Sequence, residues 1–243
     1  MPQVSVVIPA HNEEQRIGPT LERVLSYLGR QSYSAEVVVV DDVSADGTAR
    51  VVSRFLGREI PVTLMRRSGK NGKGLAVRDG MLAATGERRL FSDADLSTPI
   101  EEAQKLLSAL DRGYDVAVGS RMAPGAQVQR PLMRGAMSRA FNLLVQALVL
   151  PGIRDSQCGF KALTRGAAQD LFPRLTLAGW SFDAELLFLA RKRGWRICEM
   201  PVRWIHSPAT RMRPLRNALQ MVRDLVRVRW QYATGAYERP GGR

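Results

Sequence analysis

Val4-Ser5-Val6-Val7-Ile8-Pro9-Ala10-His11-Asn12-Glu13-Glu14 opens the chain with an apolar run that breaks off into polar residues. Val4 to Pro9 is short and rich in β-branched side chains, which favour extended backbone. Helical spacing follows at Ile17, Leu21, Val24, Leu25 and Leu28. A second β-branched run, Glu36 to Val40, ends at Asp41 and Asp42. The cycle then repeats: a helix from about Asp46 to Leu56, a strand from Ile60 to Met65, a helix from Gly74 to Ala84, and strands at Arg89 to Ser92 and Asp115 to Gly119. Continuous apolar runs alternating with helices predict an α/β fold whose parallel sheet is covered on both faces.

Beyond Arg121 the alternation weakens. A Pro- and Gly-containing segment (Pro124 to Pro131) leads to a helix from about Leu132 to Leu150. A loop carrying Asp155, Gln157 and Cys158 reaches a strand at Gly159 to Leu163. Phe182 to Arg193 reads as a helix, Arg196 to Val202 as a strand and Pro214 to Tyr232 as a final helix.

A chain of 243 residues with 45% hydrophobic and 24% charged residues suits one globular domain. Two cysteines, Cys158 and Cys198, are too few for a disulfide framework and fit a reducing compartment. A strand starts directly after Met1, Pro2 and Gln3, leaving no room for a signal peptide, and no apolar stretch reaches the ~18 to 20 residues needed to span a bilayer. The formal charge of +13 is uneven: from Arg191 to Arg243, thirteen Lys or Arg face three acids, Glu199, Asp224 and Glu238. A basic C-terminal quarter points to a polyanionic partner, either nucleic acid or an anionic membrane face; the plainer reading is a solubilising surface.

Ligands of parallel α/β sheets bind outside the carboxyl ends of the strands. The polar clusters stand at those ends: His11 to Glu14, Asp41-Asp42, Asp93-Ala94-Asp95 and Ser120-Arg121. Any one of them could be an ordinary helix cap; four at the same edge describe a site. Asp93 and Asp95, one residue apart, can both reach a hard cation such as Mg²⁺ or Mn²⁺ and leave positions open for diphosphate oxygens. Gly69-Lys70-Asn71-Gly72-Lys73-Gly74 is a glycine-rich basic loop suited to phosphate, although it is not a Walker A loop. No G-x-G-x-x-G follows the first strand, His11 and His206 are too far apart to suggest zinc, and no Ser-His-Asp elbow is visible.

These clusters, in this order, resemble family 2 glycosyltransferases of GT-A fold, and among them the dolichyl-phosphate (polyprenyl-phosphate) β-glucosyltransferases. The resemblance rests on Ser5 to Glu14, Val40 to Thr48, Asn71 to Gly74, Phe91 to Pro99, Gly119 to Arg121, Gly152 to Lys161, Trp180 to Leu187 and Gln220 to Leu225. It implies a mixed, mainly parallel sheet in a catalytic domain over residues 1–210, with a basic amphipathic helix and short tail over 211–243. It implies Pro9, His11, Glu13, Val40 and Asp42 along the nucleotide pocket, and Asp93, Ala94 and Asp95 at the diphosphate and its metal, with Lys73 and Arg121 nearby. Asp155 and Lys161 are implied at the acceptor side, and Arg211 where the family usually has a Lys facing the phosphates. His11 stands where an aromatic is common, Val43 replaces a usual Gly, and Ala209-Thr210-Arg211 replaces Gly-Ser-Lys.

The expected reaction is one inverting displacement that passes a hexose, glucose from UDP-glucose by this resemblance, to a polyprenyl phosphate; the alternative is another family 2 glycosyltransferase such as a polyprenyl-phosphate mannosyltransferase. Asp95, Asp155 and Asp183 are the candidate catalytic acids: Asp155 to orient the acceptor or take a residual proton, and Asp183 or Glu185 to position sugar hydroxyls. The two acids in the first helical turn could equally serve only that helix. On the final helix Leu215, Ala218, Leu219, Val222, Leu225 and Val226 share a face, with Arg216, Arg223 and Arg227 beside it. The stripe is expected in the core and the basic rim against an anionic leaflet. The expected location is therefore cytoplasmic, peripheral at the inner face of the cell membrane.

Two other readings compete. A sugar-1-phosphate nucleotidyltransferase wants a glycine-rich basic loop straight after the first strand, where this chain has Glu13 and Glu14. A nucleic-acid-binding module wants aromatic platforms, and aromatics are 7% and scattered; nucleic acid is not expected as a partner.

Overall fold

The computed structural model describes residues 1–129, 142–205 and 214–238, with the backbone alone over 214–219. In chain order the elements are β1 (Val4–Ala10), α1 (Ile17–Leu28), β2 (Ala35–Asp41), α2 (Thr48–Ser53), β3 (Val62–Arg66), α3 (Lys73–Ala83), β4 (Arg88–Ser92), α4 (Ala103–Asp111), β5 (Val116–Ser120), β6 (Gln127–Gln129) and α5 (helical over 142–148). Then come β7 (Phe160–Thr164), α6 (Arg165–Leu171), α7 (Phe182–Lys192), β8 (Ile197–Pro201), β9 (Arg203–Ile205) and α8 (Pro214–Ala233).

Seven strands form one sheet in the order β3-β2-β1-β4-β7-β5-β8. All neighbours are parallel except β7, which runs antiparallel to β4 and β5. The expected mixed, mainly parallel sheet is therefore the observed one. Because β7 is reversed, its start lies at the same edge as the ends of β1, β2, β4 and β5. That is how the loop before it, residues 154–159, joins the polar edge. Short β6 and β9 pair separately.

Alternate side chains go to opposite faces of each strand. Val6, Ile8, Val37 and Val39 pack under α1 and α4, while Val7, Val38, Val40 and Phe91 pack under α3, α6 and α7. The rule predicts helices on both faces, and they are there.

Two helices escape the sequence reading. α4 follows a single 3-10 turn after Pro99 that carries Glu101 and Glu102, and it buries Leu106, Leu107 and Leu110. α6 is a seven-residue helix capped by the Thr164 hydroxyl, which accepts from Ala167 N. The start of the expected helix from Leu132 falls outside the described residues; its end is seen in α5.

α8 docks on the main core through Leu225, Val228 and, after the helix, Tyr237, with Met221 also buried. Full burial of side chains like these stabilises by roughly 1.5–3 kcal/mol each. The expected stripe is off in part: Leu225 is core, but Val226 is 57% exposed. The buried positions advance as 221, 225, 228, leaving Val226 and Trp230 (66% exposed) on the outer face beside Arg223 and Arg227. Among the described residues no helix is long and apolar enough to cross a membrane.

Candidate active site

The four strand-end clusters do meet at one edge. At the end of β1, His11 Nδ1 lies 2.6 Å from the Asp42 carbonyl, which can only accept, so Nδ1 carries the proton. Asn12, at φ 54°, donates from its backbone N–H to Ser44 Oγ (2.9 Å) and accepts from Ala45 N–H (2.7 Å). These bonds weld the β1 turn to the β2 turn. Val43 sits between them at φ 57°, a left-handed conformation that β-branched residues resist and glycine accepts freely.

Other residues implied at the nucleotide are tied to the protein itself. The Glu13 carboxylate accepts two bonds from Arg16, at 2.6 and 2.8 Å. Asp42 is buried, accepting from Arg67 on one oxygen and from Gly72 N–H at 2.7 Å on the other. It therefore anchors the basic loop to β2. Val40 faces the α3 core, where a Cβ on Gly80 would come within 2.7 Å of it, so its side chain shapes the floor from beneath. Pro9, its register partner on β1, is half-buried. Arg67 was not singled out from sequence, although it follows β3 as Asp41-Asp42 close β2, and the same strand-end rule points to it. It also pairs with Asp79 at 2.7 Å.

Asp93 and Asp95 leave β4 together. Asp95 accepts from Ser97 N–H at 3.0 Å, Leu96 takes φ 44°, and the Ala94 carbonyl accepts from Thr20 Oγ1 at 2.6 Å. Opposite, Gly159 packs so closely that a Cβ would reach 2.1 Å from Asp93 Oδ2. The Asp93 side chain is 36% exposed, and Lys73 Nζ lies 2.5 Å from its Oδ1. Lys73 also stands 4.9 Å above the Trp180 ring. Burial works against the Lys73 ammonium, but the charges of Asp93, Asp183 and Asp95 outweigh it and hold the ammonium above the ordinary lysine value.

Two accessible carboxylates are the donor set of Mg²⁺ or Mn²⁺ rather than of a softer metal. Among the described residues no third His, Cys, Asp or Glu joins them, which leaves the remaining coordination positions to phosphate oxygens and water. The ammonium at Asp93 marks the spot as one that takes a cation. The residues fit the metal.

Behind this layer lie two buried ion pairs. Lys161 pairs with Asp183, both fully buried, and donates to the Cys158 carbonyl at 2.6 Å. Lys161, expected at the acceptor side, is thus enclosed and spends its ammonium on Asp183 and the Cys158 carbonyl. Burial pushes the Asp183 carboxyl up, and Lys161 and Lys73 offset this only in part.

Asp155, also fully buried, accepts from Arg121 Nε (2.7 Å), Nη2 (2.8 Å) and backbone N–H (2.9 Å). Burial alone would raise it, but Arg121 outweighs that and holds it below the usual carboxylate range. A carboxylate so held is a poor proton acceptor. In this arrangement Asp155 holds Arg121 at the end of β5.

Glu185 accepts from Thr176 N–H and Oγ1, Leu177 N–H and the Tyr237 hydroxyl, all within 3.0 Å. It ties the segment after α6 to the C-terminal end; Asp183, the other acid expected at sugar hydroxyls, is enclosed in the same way, 2% exposed and paired with Lys161. Arg211 and His206 fall outside the described residues.

Comparison with known proteins agrees with this geometry. Residues 5–172 match the sequence model of glycosyl transferase family 2. Dolichyl-phosphate beta-glucosyltransferase of Drosophila melanogaster is 38% identical, covering 97% of this chain and 77% of that protein. Its Homo sapiens counterpart is 35% identical over the same shares. Among solved structures, glucosyl-3-phosphoglycerate synthase of Mycobacterium tuberculosis, in complex with Mn²⁺, UDP and glucosyl-3-phosphoglycerate, superposes with a TM-score of 0.70. It covers 95% of this chain and 79% of that one at 21% identity, a likeness of fold. A strand-edge carboxylate pair beside a basic loop, on this sheet and with these relatives, has one reading: the chain belongs to glycosyl transferase family 2 and is a glycosyltransferase of GT-A fold.

Proposed function

We propose that the enzyme transfers glucose from UDP-glucose to a polyprenyl (dolichyl-type) phosphate at an anionic membrane surface, with inversion at the anomeric carbon. The carrying observation is the edge constellation of Asp93, Asp95 and Lys73, joined to relatives named dolichyl-phosphate beta-glucosyltransferase that match nearly the whole chain. The acceptor phosphate oxygen attacks C1 while the bond from C1 to the UDP β-phosphate oxygen breaks. The attacking phosphate is already ionised near neutral pH, so no strong general base is required. That suits a site in which Asp155 is held too acidic to serve as one.

A divalent cation held by Asp93 and Asp95 would offset charge building on the departing diphosphate. His11, with Pro9 and the β1–β2 turns, borders the nucleotide. Asp183, at the start of α7 behind Lys73, is the candidate for the sugar hydroxyls. Arg121, fixed by Asp155, faces the acceptor side with Trp204 at 5.6 Å from its guanidinium. Most of the acceleration in such a site comes from positioning and preorganised charge.

The lipid phosphate gives the basic C-terminal region a purpose. On α8, Arg223 and Arg227 lie beside the exposed Val226 and Trp230, the pattern of an interfacial helix whose apolar side chains enter the headgroup layer. The division into a catalytic body over 1–210 and a membrane-facing helix over 211–243 is proposed in that functional sense, since α8 shares the body's core.

The test is transfer of labelled glucose from UDP-glucose to polyprenyl phosphate with Mg²⁺ or Mn²⁺, comparing the parent with Asp95→Asn. The variant should keep its fold and lose metal-dependent turnover; equal turnover would sink the assignment. Thermal-shift screening against UDP- and GDP-sugars tests the donor, and stabilisation by GDP-mannose alone would overturn UDP-glucose.

A further inference from the structure

Lys73 is held in a way that a simple phosphate ligand does not require. Its backbone is pinned on both sides: Gly72 N–H donates to Asp42 Oδ2 at 2.7 Å and Gly74 N–H to the Ala178 carbonyl at 2.9 Å. A Cβ on Gly72 or Gly74 would come within 2.4 Å of the carbonyl oxygens of Ala178 or Leu177, so the loop packs flush on residues 177–178. The four-carbon stem of the side chain is the movable part. That side chain, 13% exposed, reaches back to Asp93 and lies over Trp180.

An ammonium 2.5 Å from Asp93 Oδ1 and a divalent ion on the same carboxylate, at about 2.1 Å, would be like charges only a few ångströms apart. They compete for the one carboxylate. Lys161 does not help balance the outer carboxylates, because it is spent on Asp183. Asp93 and Asp95 therefore have Lys73 as their close cationic partner among the described residues. Replacing it with a divalent ion frees an ammonium beside the site, and the natural sink for that ammonium is a diphosphate.

We propose that Lys73 is an exchangeable internal counterion: it neutralises Asp93 in the absence of donor and passes to the donor's diphosphate when a divalent cation takes Asp93. Metal and sugar nucleotide then bind cooperatively, because the metal releases the ammonium to the diphosphate and the diphosphate draws away the ammonium that opposes the metal. Coupling of this kind is reciprocal. The inference rests on the reading of Asp93 and Asp95 as the metal site.

The experiment is Mn²⁺ titration followed by electron paramagnetic resonance of the free ion, with and without UDP. It is run on the parent, Lys73→Met, Lys73→Gln, Lys73→Arg and Asp95→Asn. Without UDP, the Met and Gln variants should bind Mn²⁺ about tenfold more tightly than the parent, a typical size for such coupling. UDP should then tighten their Mn²⁺ binding by a smaller factor than it does in the parent, while Lys73→Arg stays close to the parent. Equal or weaker Mn²⁺ binding by both neutral variants in the absence of UDP would overturn the proposal. If Mn²⁺ binding is lost in Asp95→Asn yet indifferent to Lys73, the counterion idea alone fails. Binding retained in Asp95→Asn, or absent from every protein, removes the carboxylate-pair reading along with it.

Discussion

Replacing Asp155 by Asn separates a brace from a base. The Asp155 carboxylate has no exposed surface and accepts three N–H bonds from Arg121, at 2.7, 2.8 and 2.9 Å, and one from Gln157 N–H at 3.2 Å. An amide turns its NH₂ toward one guanidinium nitrogen and carries no charge, leaving Arg121 buried and uncompensated. Breaking a buried pair in this way costs about 3–5 kcal/mol. At about 2–4 °C per kcal/mol for a domain of this size, the midpoint should fall by about 6–20 °C. Scanning calorimetry at pH 7 measures it.

The pH dependence carries a sign. The folded carboxyl of Asp155 is held below its unfolded value, so its stabilisation is present above the unfolded value of about 3.9 and lost as pH falls through the folded one. The gap between parent and variant should narrow in acid. The double variant Arg121→Met/Asp155→Leu, which removes both charges, should recover most of the loss. A single variant melting within about 3 °C of the parent at pH 7, or a gap that widens in acid, would refute the brace.

Two further outcomes are expected. Val43→Gly relieves a left-handed conformation worth roughly 1–2 kcal/mol against a glycine entropy of about 0.5–1 kcal/mol; melting at or below the parent temperature would contradict it. Neutralising Arg216, Arg223 and Arg227 to Gln should weaken pelleting with anionic liposomes by about 3 kcal/mol in all, at roughly 1 kcal/mol per charge, and unchanged pelleting would end the membrane-face reading.

The sheet was legible because a strand buried on both faces is a continuous apolar run, and the runs before Arg121 stood in order. The direction of β7 was not, since Phe160 to Thr164 reads the same whichever way it lies. That one reversal delivers Asp155, Lys161 and Gly159 to the site. Residue types at the edge were legible too, but not their partners. Nothing within Gly152 to Lys161 says that Lys161 will meet Asp183, 22 residues on, or that Asp155 will be spent on Arg121. On α8 two apolar stripes overlap, one through Val222 and Val226 and one through Met221, Leu225 and Val228. Periodicity favours neither, and packing against α7 and the core chose the second.

The layering of charge at the edge follows a physical order. The deepest groups, Lys161, Asp183 and Asp155, are all spent in ion pairs, because an unpaired charge there would cost several kcal/mol. The outermost, Asp93 and Asp95, keep accessible oxygens because water or a cation can satisfy them. Lys73 lies between: buried enough to need a carboxylate, near enough to solvent to leave it. A closed pair fixes geometry and an open carboxylate takes a ligand, while Lys73, held by one half-exposed carboxylate, can exchange partners during a turnover. That is why the sequence departures near Arg211 leave the phosphate role intact in this scheme: Lys73, on a loop that glycines hold against residues 177–178, is the cation already in place.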